Sequence, residues 1–528
     1  MRQPCDDAVI RSGTLAGPCA ERSKPWILAA TILGSSMAFI DGTVVNVALP
    51  ALQSSLHANV IDVQWVIESY GLLLSALILV GGALGDSLGR RAMFLLGVVV
   101  FGVASAGCGL SSSIRFLVIW RGVQGLAAAF MVPGSLAIIS ASFDEKSRGR
   151  AIGTWSGFTA ITTALGPVLG GWLIEYASWH WVFFINLPLA ALVVVITLGH
   201  VPESRSPIAR QIDWLGAAIA TVSLSALVYG FLESAAIGWR HPRVFGALIS
   251  GLLLLALFIL VERRVKSPMV PLDLFRSSSF SGANLLTLFL YAALGTFFFL
   301  FPMNLIQIQH YSATKTGAAS LPVILLMFLL SRWAGGLVAR YGSKAPLIVG
   351  PLIVALGFTL FAIPSANANY WSALFPAFLV LGFGMAISVA PLTTVVMSSV
   401  EEGRAGTASG INNAVARVAG VLAVAVLGIV MVAAFAHSLR ASIATLHLDP
   451  PAVRDLESNV ARLGALEAPT GLGPEETAKV HDAVTHAFVF GFRTIMLICA
   501  SFAMASALVA WRMIPARVTL PMDLSDWT

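Results

Sequence analysis

The sequence predicts an all-α polytopic membrane protein: two six-helix bundles with two further helices inserted between them, about fourteen transmembrane helices in all. Three observations predict it. Of 528 residues, 57% are hydrophobic and only 11% are charged. A soluble chain carries about 25% charged residues, so this one lacks the polar surface that water demands and lipid must be its solvent. Apolar runs of membrane-crossing length recur along the chain; each needs about 20 residues in a helix, because backbone amides in hydrocarbon must be bonded internally. Finally, Gly82-Ala-Leu84-Gly-Asp86-Ser-Leu-Gly89-Arg90-Arg91 returns as Gly335-Gly-Leu337-Val-Ala339-Arg-Tyr-Gly342-Ser-Lys344. The offset is 253 residues at 82 and 335, at 89 and 342, and at 91 and 344, with Arg148 and Arg404 a further pair 256 apart. Two copies at that spacing imply two homologous, parallel bundles.

In chain order, residues 1–25 are polar, with Asp6, Asp7, Arg11, Glu21, Arg22 and Lys24, and show no signal-peptide pattern. They are expected to form a cytoplasmic tail, and the run from Trp26 an uncleaved signal anchor. Further spans begin near Val63, Ala92, Arg115, Ala151 and Trp179, completing a first bundle over 26–199. Residues 200–280 link the halves and hold the inserted pair, from Trp214 and Val244. The second bundle, 281–513, has spans from Ser281, Thr316, Pro346, Tyr370, Ile411 and Ala487. Within it, 437–486 is the one sizeable polar insertion, expected as an external lobe with helices at Pro451–Leu463 and Pro474–His486 around a turn at Pro469 to Pro474. Residues 514–528 form a second tail. An even number of spans puts both termini on one side. With that side cytoplasmic, inner loops and tails hold about twenty of the 32 Lys and Arg, as the positive-inside rule requires. The expected location is the bacterial cytoplasmic (inner) membrane, with lipid around the chain.

The net charge of +6 raises nucleic acid as a partner, but the basic residues sit in short loops between spans, with no basic-aromatic patch. No nucleic-acid partner is expected. Of the four cysteines, Cys5 and Cys19 lie in the polar N-terminal stretch and Cys108 and Cys499 inside apolar spans, with no metal-ligand spacing. No metal, nucleophile–base pair or G-x-x-x-x-G-K-[ST] phosphate loop is present, so neither an enzyme nor a nucleotide-driven machine is expected, and no cofactor.

A charge at the bilayer centre costs about 2.5–3.5 kcal/mol on insertion scales, so intramembrane charges are functional candidates. Four stand out: Asp41, Glu68, Arg121 and Arg417. At a 1.5 Å rise per residue, Glu68 lies roughly 8 Å and Arg121 roughly 9 Å below the outer edge, and Asp41 in the outer half of its span. Two acids and an arginine at similar depth in one bundle make a plausible proton site, since desolvation favours a neutral acid and a nearby cation favours its carboxylate. Asp41 and Glu68 are the proton-carrying candidates and Arg121 tunes them. The plainer alternatives are an Asp41 that satisfies buried polar groups such as Asn46, a hydrated Glu68 near the interface, and an Arg121 that ties carbonyls of adjacent helices. Arg417 with Asn412 and Asn413 forms a polar stripe in the second bundle.

Four patterns in order give the chain a resemblance to the major facilitator superfamily, in its fourteen-helix drug:proton antiporter (multidrug efflux) branch, over about Trp26 to Met513. Phe39-Ile-Asp41-Gly-Thr43-Val-Val-Asn46-Val-Ala-Leu-Pro50 resembles the branch's first-helix motif, and Gly82 to Arg91 the superfamily's loop motif. Trp120-Arg121-Gly-Val-Gln124-Gly125 resembles the fourth-helix motif, and Gly157 with Gly166-Pro167-Val-Leu-Gly170-Gly171 the fifth-helix antiporter motif. The stretches Trp179 to Pro188 and Gly406 to Asn413 are similar to this branch as well. Ser87 departs from the family's usual basic residue, and Ala339 lacks the acid that Asp86 supplies in the first copy.

The resemblance implies a gating loop at Gly82, Asp86, Gly89, Arg90 and Arg91, in which Asp86 pairs with basic side chains or a helix N-terminus. It implies that Gly157, Gly166, Gly170 and Gly171, with a bend at Pro167, seal a helix interface against proton leak; ordinary close packing would leave the same pattern. The function implied is proton-coupled export of lipophilic, often cationic small molecules by alternating access, by a monomer that draws on the proton gradient. The alternatives are a dedicated exporter of one endogenous metabolite or lipid, a proton-coupled uptake symporter, and a membrane sensor that transports nothing.

Overall fold

The computed structural model describes residues 23–516 apart from 144, 206–212, 266–267, 367, 401–404 and 447. Among the described residues the regular structure is helical, with no strand. Helix α1 (Lys24–Ser55) opens on Pro25, whose missing amide is one the first turn leaves unbonded in any case. Helix α2 (Val60–Leu88) starts with a capping box: Asn59 accepts from the Asp62 amide and Asp62 from the Asn59 amide, each at 3.0 Å. Next come α3 (Arg90–Gly109), α4 (Ile114–Ser142), α5 (Glu145–Tyr176) and α6 (Trp181–His200). The inserted pair is α7 (Trp214–Ile237) and α8 (Pro242–Glu262); Asp213 caps α7 by accepting from the Gly216 amide at 2.7 Å. The second bundle holds α9 (Ser278–Met303), α10 (Leu321–Tyr341), α11 (Lys344–Phe361), α12 (Phe375–Ser398), α13 (Ala405–Ile443) and α14 (Pro474–Met513).

Thirteen helices among the described residues are long and apolar enough to cross a membrane, against the fourteen expected. Helix α5, at 32 residues, has the length of a further span. The external lobe also differs from expectation. Its first helix is shorter, Pro450–Ser458, followed by a 3-10 turn over Val460–Ala465. Pro474 opens no separate helix but the 40-residue α14, which runs unbroken into the span expected from Ala487. Leu456 and Leu463 are buried as the lobe packs on α13 and α14, and Arg440 of α13 bonds Glu457 at 3.0 Å.

Contacts divide the chain into two compact units: Met1–Met269 with Leu305–Ala318, and Val270–Asn304 with Ala319–Thr528. In the first, α2 packs on α4 so closely that the Gly81 Cα lies under the Ala129 carbonyl, and Gly125 of α4 under the Tyr70 carbonyl; no larger residue fits either place. The inserted helices belong to this unit through α7, whose Ala217 joins Val80 and Leu84 of α2 in one core. Helix α8 touches α7 and is otherwise exposed, with 11% of its apolar window buried, so lipid is its solvent. In the second unit α9 packs on α13 and α14, and Phe297 sits among Phe301, Phe358, Phe361 and Phe378 at ring-centroid distances of 4.8–6.2 Å. The internal repeat is visible in the backbone. Gly89 and Gly342 both take positive φ (128° and 76°), and the next residue in each copy donates its amide to a carbonyl just beyond the sixth helix of its bundle: Arg90 to Ser204 at 2.9 Å, Ser343 to Ala516 at 3.0 Å.

Candidate functional site

The first unit closes around an ion pair. Asp41 is 0% and Arg121 1% exposed, and the Arg121 Nη1 donates to Asp41 Oδ2. The other guanidinium contacts fix the arginine's plane: Nε donates to the Val66 carbonyl at 3.0 Å, Nη1 also to Gln124 Oε1 at 2.9 Å, and Cζ lies 4.3 Å from the Tyr70 ring centre. The second Asp41 oxygen accepts from Gln124 Nε2 at 3.2 Å and from Asn186 Nδ2 at 3.4 Å. Gln124 in turn donates to Ser105 Oγ at 2.8 Å and accepts from Cys108 Sγ at 3.3 Å. Helices α1, α3, α4 and α6 thus each supply a member, and α2 supplies a carbonyl and a ring. Burying a charge without a partner is costly, and here each charge has one.

Gln124 and Asn186 were not among the expected site residues. A signal for both was present: Gln124 is three residues from Arg121 and so on the same helix face, and Asn186 is a polar side chain in an apolar run. Asn46, by contrast, is no partner of Asp41. Five residues along α1 turn it to another face, where its Nδ2 donates to the Gly42 carbonyl at 3.3 Å.

Glu68 lies on the same α2 as Val66 but outside this cluster. It is 0% exposed, and neither carboxyl oxygen has a hydrogen-bond partner among the described residues. The alternative of a hydrated acid near the interface is therefore corrected for this structure: helix packing covers Glu68. One turn earlier, Trp65 packs against Tyr229 of α7 with ring centres 6.4 Å apart.

At the other end of α2, Asp86 bonds Arg90, with Oδ1 2.8 Å from Nε and 2.7 Å from Nη2. The helix N-terminus foreseen as a partner for Asp86 is taken by Glu203, whose two oxygens accept from the Arg91 and Ala92 amides at 3.1 Å each. A carboxylate suits the partial positive charge there. Gly89 makes the clamp possible, since any Cβ would meet the Glu203 carboxyl at 2.8 Å. Arg91 donates from Nη2 to the Leu198 carbonyl at 3.2 Å. Gly82 is not a close-packing position; a Cβ there meets Pro133 at an ordinary 3.6 Å, and the tight crossing falls at Gly81.

The glycines of α5 serve two faces. Gly166 lies against Thr43 and Gly170 against Val44, both on α1. Gly171 lies under the Ala313 carbonyl, while the Pro167 carbonyl lies against Gly317. Glu175, one turn on, accepts from the Thr314 amide at 3.2 Å. Gly157 lies outside the described residues. In the second unit, Asn412 donates to Asn284 Oδ1 at 3.2 Å and Thr287 Oγ1 at 2.7 Å, so its amide ties α13 to α9. Asn413 instead donates to its own helix at Ser409 and is exposed, and Arg417 lies within Coulombic reach of Tyr291. Among the described residues no cluster of His, Cys, Asp or Glu could hold a metal ion.

Two units of membrane-crossing helices, one enclosing a sealed ion pair, define a multi-pass membrane protein. A Major Facilitator Superfamily profile matches residues 31–214 and 206–424. The chain belongs to that superfamily. It is similar to the multidrug resistance protein Stp of Mycobacterium tuberculosis, 35% identical over 96% of this chain and 95% of that protein. It is similar also to the tetracenomycin C resistance and export protein of Streptomyces glaucescens, 33% identical over 93% and 91%. Among solved structures, a bacterial homologue of the human lysosomal transporter Spinster aligns with a TM-score of 0.64 over 95% of this chain and 99% of that one; at 15% identity the likeness is one of fold.

Proposed function

We propose that the protein exports lipophilic, often cationic small molecules across the bacterial cytoplasmic membrane in exchange for protons, by alternating access, with both termini in the cytoplasm. The observation that carries the proposal is the pair of acids, Asp41 and Glu68, wholly buried in one helical unit, with Arg121 bonded to Asp41. Intramembrane acids are expensive to keep, and an exchanger needs an acid that can hold either a proton or a cation. The relatives named for drug resistance and export support the direction and the substrate class. The inner loop built on Asp86, Arg90, Arg91 and Glu203 holds adjoining spans in register, as a gate requires. We propose further that the protein works as a monomer in lipid, without a cofactor, on the proton gradient. Ethidium efflux from energised cells that produce the protein tests the proposal. Efflux should exceed that of cells without it and collapse with an uncoupler; efflux that persists undiminished through uncoupling would refute proton coupling.

A further inference from the structure

The two buried acids have opposite surroundings. Asp41 is fully engaged: an arginine on one oxygen, two amides on the other, all inaccessible to water. For Asp41 to take up a proton, the Arg121 charge would have to be left buried without its partner, which is the expensive way to break such a pair. Glu68 is equally buried, but among the described residues neither of its oxygens has a partner. Helices α1, α3, α4 and α7 pack on α2, and among the described residues none of their ionisable groups bonds Glu68. Asp41 of α1 and Arg121 of α4 bond each other. On α3, Cys108 is turned to Gln124, Arg90 to Asp86 and Arg91 to Leu198. On α7, Tyr229 packs against Trp65 with the rings tilted, and Glu233 adds no cation.

We propose, building on the exchange reading above, that Glu68 is the group at which proton and cationic cargo replace one another, and that Asp41–Arg121 is a fixed ion pair that keeps its charges throughout the cycle. A carboxyl with no partner is tolerable in an apolar setting as the neutral acid, and as the carboxylate once a cation sits beside it. Arrival of a monovalent organic cation releases the Glu68 proton to the side from which the cation came. Departure of the cation on the far side lets a proton from that side return. One proton moves per cation and no covalent bond changes. Trp65, three residues before Glu68 and so close to its face, is partly exposed and offers an aromatic ring to the same cargo. The chemistry selected is a lipophilic cation with flat or aromatic surface.

The test is binding of radiolabelled tetraphenylphosphonium to the purified full-length protein between pH 5 and pH 9. With proton and cation competing for one carboxyl, wild-type affinity falls about tenfold per pH unit on the acid side. Glu68→Gln should bind weakly with no pH dependence, while Glu68→Asp keeps the slope but moves its midpoint. Wild-type slope retained by Glu68→Gln, or an unmoved midpoint in Glu68→Asp, overturns the assignment and leaves proton exchange standing. The second criterion holds even if the glutamine variant does not fold. Wild-type binding that is flat in pH overturns the exchange reading itself, and the assignment with it.

Discussion

At the scale of single residues, the Asp41–Arg121 pair sets the terms. Removing one member of a buried ion pair costs about 3–5 kcal/mol, because the other charge is left desolvated. Asp41→Asn should therefore lower the melting temperature of the purified protein sharply, whereas Asp41→Asn combined with Arg121→Gln should regain most of the loss. A double variant no more stable than the single one would show that the pair is not what holds these residues in place. The sequence made the charges themselves conspicuous, since Asp, Glu and Arg are rare in apolar runs. It did not reveal who bonds whom, because partners such as Gln124, Asn186 and the Val66 carbonyl come from three helices spread along the chain. Nor could it separate Asp41 from Glu68: both are acids in spans, and only packing shows one saturated and the other without a partner.

At the scale of elements, glycine geometry decides how helices meet. A Cβ on Gly81 would run into the Ala129 carbonyl, while one on Gly82 meets only the Pro133 ring at 3.6 Å. Gly81→Ala should lose about 1–3 kcal/mol through overpacking, and Gly82→Ala should stay within about 0.5 kcal/mol of wild type. Thermal melts of the two variants check the contrast; equal melting temperatures would contradict it. At the inner loop, Gly89→Ala would add strain at φ 128° and push against Glu203. A loss of about 1–3 kcal/mol follows, with Glu203→Gln losing less, about 0.3–1 kcal/mol, because its carbonyl oxygen still accepts from one amide. The positions of helices were legible from apolar runs and the loop repeat. The ends were less so: α14 extends 13 residues before Ala487 because a polar, helix-favouring stretch above the membrane continues the same hydrogen-bond ladder. Glu203 was hidden for a related reason, lying 112 residues from the amide of Arg91 that it accepts from.

At the scale of the whole molecule, exchange of one proton for one monovalent cation at a single carboxyl moves no net charge. Ethidium efflux from proteoliposomes should then follow the pH gradient and ignore a potassium-diffusion potential set with valinomycin; strong dependence on the potential at zero pH gradient would contradict one-for-one exchange at Glu68. The duplication that makes two units was readable in the sequence as the 253-residue offset, and it reappears as the matched glycine turns at Gly89 and Gly342. The asymmetry was readable too, since the second copy lacks an acid at Ala339 and the unpartnered carboxyl lies in the first unit. Coupling is the claim on which the rest depends. It is tested most directly by loading proteoliposomes with ethidium and a pH-sensitive dye, with no other gradient, and recording the internal pH as ethidium leaves. Protons should enter as the cation exits, and the interior should acidify in the wild type and not in Glu68→Gln. Ethidium leaving through the wild-type protein with the internal pH unchanged would contradict the account.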